Sequence, residues 1–485
     1  MMIQIGKFLV SRRLLLASSL SAIAASFLEK NSYAATPIAF NQILGRPTKN
    51  SVALSVTSNS DVNAYVEFGY AKTRYTSKTS TASLTAGSPY VFDLIGLKES
   101  SKVYYRIRYK ASGNSNFAIG KEFSFTTARK AGSNFSFSVH GDTHPERAGK
   151  MFNADLYAVT LGNIATQQPD FHILLGDDFS IDPLLDKGQG TQENIEKIYS
   201  THRNWLSKVG SLVPIFLVNG NHEQAAAYLL DGTSTSPAVL AGNARLKYFP
   251  LPEPNVFYSG DSTEIPGVGL PRDYYSWTWG DALFLSLDPY WHSKNPVDNV
   301  ATSRPGGAIG KVGNLWSIGI GDEQYAWLKK TLETSTAKYK FVFAHHVMGT
   351  GRGAVEVSTN YEWGGLDPKG QSTFAKERPN WELPIHDLMV KNKVSIFFQG
   401  HDHIFVHQER DGVVYQAMPN PADDTFTMFN ETAYTSGTKA PNSGHVRVSI
   451  SSAGAKVEYF LAARNTDKGR KNLEIAHSYL VKPSV

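Results

Sequence analysis

The chain has 485 residues, 41% of them hydrophobic and 19% charged, with 40 Gly, 23 Pro and no cysteine. This is the make-up of a globular protein with length for two or three domains, and it excludes a disulfide scaffold, a collagen-like repeat and a disordered chain. Without thiols there are no thiolate metal sites, cysteine nucleophiles or lipidated cysteines, so any metal must be held by oxygen and nitrogen. The net charge of +5, from 48 Lys and Arg against 43 Asp and Glu, is spread along the chain and has no nucleic-acid footprint.

Residues 1–34 read as an address. Lys7 and Ser11-Arg12-Arg13 precede an apolar run from Leu14 to Phe27, followed by Glu29-Lys30-Asn31-Ser32-Tyr33-Ala34-Ala35. The run is shorter than the ~20 residues that a helix needs to cross a bilayer. It is expected to be a secretory signal cut after Ala34, and the Arg pair is similar to the signals served by the twin-arginine export machinery. The segment holds four basic residues and one acidic, so most of the net charge is removed with it. The mature protein is expected in the periplasm or secreted, with no membrane anchor.

Residues 36–130 carry apolar residues with period two: Val52, Leu54 and Val56; Ala64, Val66 and Phe68; Val103, Tyr105, Ile107 and Tyr109. Turn residues separate these runs, which predicts an all-β sandwich. The segment Leu97 to Ile107 resembles the corner entering a late strand of fibronectin type III-like domains, with Val103 where a tyrosine usually stands. Arg129-Lys130-Ala131-Gly132-Ser133 reads as a linker.

From residue 134 to 485 apolar strands alternate with helical segments such as Glu193 to Val209 and Glu323 to Glu333, an α/β pattern with a parallel or mixed sheet. Five short runs are predicted as buried strands: Phe135 to Val139, Phe171 to Leu175, Val213 to Val218, Tyr339 to Ala344 and Val394 to Phe398. Ala282 to Leu287 and Val413 to Ala417 fit the same sheets, and His445 to Ile450 with Val457 to Leu461 fits a closing hairpin. The stretches Tyr228 to Pro271 and Ser303 to Gly321 read as long surface insertions, where specificity would reside.

The chemistry lies just past the five strands: Gly141-Asp142-Thr143-His144, Gly176-Asp177-Asp178, Gly220-Asn221-His222-Glu223, His345-His346 and Gly400-His401-Asp402-His403. In open α/β sheets ligands bind outside the carboxyl ends of strands, so these side chains are expected in one crevice. The glycines are expected to let the chain turn sharply off the sheet. The candidates Asp142, His144, Asp177, Asn221, His345, His401 and His403 outnumber the four ligands of a tetrahedral ion. Two ions sharing Asp177 would use them all. Oxygen and imidazole donors suit Fe, Mn, Zn or Co.

The order Asp-x-His, Gly-Asp, Gly-Asn-His-Glu, His, Gly-His-x-His resembles the calcineurin-like metallophosphoesterase family over about 134–462. The resemblance implies two mixed sheets flanked by helices in four layers. It gives one ion Asp142, His144, Asp177 and His403, and the other Asp177, Asn221, His345 and His401, with His345 chosen over His346 because the family's ligand is the first histidine after that strand. An N-terminal sandwich before such a domain is similar to the purple acid phosphatases and to exported bacterial alkaline phosphatases and phosphodiesterases. The chain departs from the purple group: His144 replaces a glycine, and Ser180 stands where a metal-binding tyrosine would be.

The implied activity is hydrolysis of a phosphate ester by hydroxide formed between two cations, with His222 as the acid that protonates the leaving oxygen. Arg147 and Arg352 are candidate clamps for the phosphoryl group and tilt the reading toward a monoester. A phosphodiesterase would use the same seven ligands, and a retired scaffold serving an extracellular binding protein is the alternative of another class. Asp178, Glu223 and His346 could support ligands from behind or cap their own turns. Tyr361-Glu362-Trp363 and Tyr290-Trp291-His292 could line a pocket or lie in the core.

Overall fold

The computed structural model describes residues 37–223, 230, 232–293, 297, 315–347, 351–367 and 369–484. The expected signal, residues 1–34, and most of the stretch 303–321 lie outside the described residues. Among the described residues, no helix is long and apolar enough to cross a membrane.

The period-two runs of the first region form strands as expected. Ser51–Ser58 lies between Phe40–Gly45 and Tyr90–Ile95 in one antiparallel sheet. Val62–Gly69 pairs with Lys102–Ala111 at the centre of a second, with short strands at its edges. Val62, Ala64, Val66 and Phe68 are buried, as are Val103, Tyr105 and Ile107 across from them, while the residues between them are more exposed. The expected linker is tied down: the Arg129 carbonyl accepts the Gly280 amide, its Nε donates to Asp170 at 2.6 Å, and the Gly132 amide donates to Asp281 at 3.0 Å.

The second region is an α/β domain with two mixed sheets. In the first, strands run in the order Ile215–Leu217, Phe171–Leu174, Phe135–His140, Gly444–Ser451, Gly454–Leu461 and Ile475–Val481. The first three are parallel, and the expected hairpin continues the sheet antiparallel to Phe135–His140. The second sheet has eight strands around the parallel set Ala282–Ser286, Tyr339–Phe343, Ile396–Gln399 and Val413–Ala417. Aromatic residues of both sheets, among them Phe137, Phe171, Phe216, Trp277, Phe284, Phe341 and Phe398, fill one core between them. A second core joins the eight-stranded sheet to the helices Gly321–Thr334 and Ile385–Lys391. A third joins the six-stranded sheet to Ala154–Gln167 and Gln192–Gly210. Helices therefore cover the outer face of each sheet, giving four layers.

The stretch 228–271 departs from the expected surface insertion. Within it the helix Pro237–Tyr248 buries Ala238, Ala241, Ala244 and Tyr248 in the third core. Ser236 caps it through the Val239 amide and proline occupies its first turn, a start signal that the polar sequence around it obscured. The sandwich packs on this same layer: Arg203, buried, donates to the carbonyls of Ser55 (2.7 Å) and Tyr248, the Tyr105 hydroxyl donates to the Ser211 carbonyl at 2.8 Å, and Ile43 joins the third core.

One buried polar chain crosses the six-stranded sheet's helical face. His172 bridges Ser138 Oγ (2.7 Å) and His140 (2.8 Å), and the Tyr157 hydroxyl lies between His140 (3.4 Å) and His202 (3.1 Å). Burial pulls His140 down to about 3, His202 to about 4, and His172 well below its ordinary value. A base whose folded pKa is depressed contributes stability that is present above about pH 6.5 and lost as pH falls toward the folded value, because the unfolded chain takes the proton first. Urea unfolding followed by tryptophan fluorescence is expected to show a downward slope in stability from these histidines as pH falls below 6. His202→Gln is expected to shallow that slope.

Candidate metal centre

The five strand ends converge. Asp142, His144, Asp177, Asn221, His345, His401 and His403 are all buried, none more than 3% exposed, and His222 is 6% exposed beside them. Three sets of side chains bring ligand-type atoms within 4.8 Å of one another: Asp142, His144 and His403; His144, Asp177 and His222; Asp177, His345 and His401. Asp177 belongs to two of these sets. Its Oδ2 lies 3.1 Å from His345 Nε2, 3.5 Å from His144 Nε2 and 3.9 Å from His222 Nε2. Asp142 Oδ1 lies 3.4 Å from His403 Nε2 and 3.9 Å from His345 Nε2, and Asn221 Oδ1 lies 3.1 Å from His401 Nδ1.

The turns that present these groups are strained. Asp142, His144, Asp177, His401 and His403 all have positive φ, between 48° and 70°. Each such non-glycine residue costs of order 1–3 kcal/mol and persists where its surroundings enforce it. Glu223 accepts the amides of Asp177 (2.8 Å), Asp178 (2.5 Å), Phe179 (2.9 Å) and Gly220 (2.7 Å), locking two motif turns together. Asp142 accepts the His401 amide at 2.8 Å, and Asp177 Oδ1 accepts the His222 amide at 2.9 Å. Asp402, buried, accepts from the Tyr434 hydroxyl (2.6 Å), the Gly353 amide (2.8 Å) and Arg352 (3.1 Å).

The motif glycines serve close approach more than turning. Of the four, Gly176 alone has positive φ (94°). A Cβ on Gly220 would collide with Asp177 Oδ1, and one on Gly400 with Asp142 Oδ2.

Electrostatics sets the two carboxylates apart. Burial, with Asp177 adding its charge, pushes Asp142 up to about 7. Burial also acts to raise Asp177, but His345, His222 and His144 hold it well below the carboxylate range. Against their own burial, His345 is raised to about 10 by Asp177 and Asp142, and His144 to about 9 by Asp177 and Glu146. Burial takes His401 and His403 the other way, well below the ordinary value.

The residues fit a cation. His345 Nδ1 donates to the Leu175 carbonyl at 2.8 Å, which turns Nε2 toward Asp177 and Asp142, and that buried Nε2 makes no hydrogen bond. An Nε2 aimed at two carboxylates is a place for a positive charge, which a proton on His345 supplies in the ion-free chain and a metal ion on the neutral imidazole would supply instead. The donor set of carboxylate, imidazole and one amide oxygen is that of a borderline divalent or trivalent ion.

Groups around the cluster fix its imidazoles. His144 Nδ1 donates to Glu146 at 2.8 Å, and His222 Nδ1 donates to Asp182. Neither acid stands out in the sequence, since Glu146 and Asp182 sit four and five residues past the motif aspartates Asp142 and Asp177 with no spacing rule to mark them. Arg147 Nη2 donates to His222 Nε2 at 3.1 Å, which places the guanidinium at the cluster. Arg352 is also close, but its Nη1 is bound to the His401 carbonyl at 2.5 Å as well as to Asp402. Glu223 binds backbone amides and Asp178 accepts from Thr143, so both brace turns. His346 stacks on His401 (4.6 Å between ring centres) and meets the Tyr290 hydroxyl at 3.2 Å. Tyr361 and Trp363 lie in the second core, and Trp363 donates to the Tyr415 hydroxyl at 2.9 Å.

Comparison with known proteins agrees with this architecture. A purple acid phosphatase from yellow lupin (Lupinus luteus) superposes with a TM-score of 0.58 at 15% identity, over 92% of this chain and 74% of that one. The structure of PhoD superposes with a TM-score of 0.60 at 15% identity, over 91% of this chain and 90% of that one. At this identity both likenesses speak for the fold, and each extends over the N-terminal sheets as well as the α/β domain. No curated protein matches the chain in sequence. The model of the calcineurin-like phosphoesterase family matches residues 135–405, more than half of the chain and every one of the seven candidate ligands, so this protein belongs to the calcineurin-like phosphoesterase family.

Proposed function

We propose that this protein is an exported hydrolase of phosphoric esters, acting on monoesters, with two metal ions held around Asp177. One ion would take Asp142, His144, Asp177 and His403, and the other Asp177, Asn221, His345 and His401. The observation that carries the reading is Asp177 Oδ2, which three imidazole Nε2 atoms approach within 3.1–3.9 Å from different strand ends. A pair of cations so placed supplies Lewis acidity toward the phosphoryl oxygens and toward water.

The chain's own residues do the rest. Asp182 keeps the proton of His222 on Nδ1 and fixes the ring, leaving Nε2 facing the cluster. In the ion-free chain Nε2 accepts from Arg147. An ester whose phosphoryl oxygen takes the Arg147 guanidinium would release Nε2 to take up a proton from solvent water, and the ring, then protonated on both nitrogens, gives that proton to the leaving oxygen and returns to its neutral form. Burial of the cluster keeps bulk water from competing for these contacts. The monoester preference rests on Arg147, a positive group beside a doubly charged phosphoryl. Arg352 has its Nη1 bound within the 401–402 turn, so it holds that turn whether or not the rest of its guanidinium meets the phosphoryl group.

His222→Ala is expected to lower kcat by about 10²- to 10⁴-fold for an alkyl phosphate and far less for a nitrophenyl ester, whose leaving oxygen needs no proton. Asp182→Asn is expected to reproduce that leaving-group dependence with a smaller loss. Equal losses for both substrates in both variants would remove His222 from the acid's role.

Arg147→Met is expected to raise KM for an aryl phosphate monoester about tenfold or more, and to change the matching diester less, as judged from steady-state kinetics on both. Equal effects on the two esters would make the positive charge irrelevant to substrate class and favour the phosphodiesterase reading.

A further inference from the structure

A second cluster of acidic groups lies behind the metal centre. Asp261 follows the edge strand Ser259–Gly260, Asp273 precedes its neighbour Tyr275–Trp279, and His292 follows Ala282–Ser286. The three come together with ligand-type atoms within 4.8 Å of one another. Asp261 and Asp273 are 1% and 0% exposed, and His292 Nε2 donates to Asp273 Oδ2 at 2.7 Å. Asp288, fully buried, stands close by and is bound by Asn219 at 2.6 Å, two residues before Asn221.

Three features set this group apart from an ordinary buried ion pair. First, Asp273 Oδ1 and Asp261 Oδ2 are buried with no hydrogen-bond partner, and the latter faces His292 Nε2 at 3.7 Å. A buried carboxylate oxygen left unsatisfied is costly. Second, three carboxylates face a single imidazole. Arg245, whose charge acts on Asp288, donates to the carbonyls of Leu217, Pro271 and Arg272 instead. Third, burial pushes Asp288 up to about 7 and raises Asp261, with Asp273 adding to both. A divalent ion displacing the His292 proton would neutralise Asp261 and Asp273 together and satisfy both orphan oxygens.

We propose that Asp261, Asp273 and His292 form a cation site separate from the central cluster, which takes a divalent ion of the manganese or zinc kind. Two carboxylates and an imidazole are a donor set that these ions accept and that calcium takes less readily. The site would pin the edge strands 259–260 and 275–279 to the segment after Ser286. Through Asp288 and Asn219 it backs the turn that carries Asn221 and His222.

The test is a count of ions in the intact chain. Parent protein, Asp261→Asn/Asp273→Asn and Asp177→Asn are stripped, loaded with Mn²⁺ or Zn²⁺, desalted and counted by native mass spectrometry. The double variant is expected to hold one ion fewer than the parent, and its Tm is expected to lose part of the parent's rise on loading. Asp177→Asn reports the central cluster separately, so failure there leaves this comparison intact. Equal counts in the parent and a folded double variant would overturn the proposal, as would a site that fills with Ca²⁺ and rejects Mn²⁺ and Zn²⁺. Should the double variant fail to fold, His292→Gln retains both carboxylates. It is expected to weaken Mn²⁺ or Zn²⁺ at this site at least tenfold, and unchanged affinity would be equally decisive.

Discussion

Two carboxylates, Asp142 and Asp177, are buried at the ends of adjacent parallel strands, and among the described residues their ion pairs are all with histidines. That concentration of negative charge in low dielectric is the constraint on which the surrounding structure depends. It accounts for the imidazoles drawn up from the other strand ends. It also accounts for the opposed behaviour of the two acids, one pushed toward protonation and the other held ionised. Protons on His144 and His345 can balance the charge in the ion-free chain, and metal ions would balance it with the same side chains.

The fold exists to hold this arrangement against strain. Five motif residues in left-handed backbone would relax if the turns were independent, and they are not. Glu223 fastens the turns after the second and third strands of the parallel set, Asp402 fastens the last motif, and the carboxylates of the cluster accept amides from neighbouring turns. The aromatic core between the two sheets fixes the strands from which these turns depart. Rigid sheets with strained turns at one end are the usual means of placing polar groups more accurately than a loop could.

Most of this was legible from the sequence because its signals are local. Short runs of Val, Ile, Phe and Leu between turn residues marked every strand that carries a motif, and Asp, Asn and His at fixed places after those runs marked the cluster. What escaped was long-range. Glu146 and Asp182 look like surface acids until the fold turns them onto His144 and His222. The helix Pro237–Tyr248 looked like surface because its apolar face is mostly alanine, too weakly hydrophobic to stand out from its polar flanks. The role of the glycines was half read: the turn was visible, but the approach of a carboxylate from another strand was not. Arg352 illustrates the limit, since its position after the His pair gives no sign that its Nη1 binds the 401–402 turn.

The central claim is that Asp177 is shared by two cations. Anomalous diffraction from crystals grown with Mn²⁺ tests it directly. The account predicts two peaks flanking the Asp177 carboxylate, about 3.5–4 Å apart, one beside His144 and His403 and the other beside His345 and His401. A single peak, or ions bound away from Asp177, would contradict it.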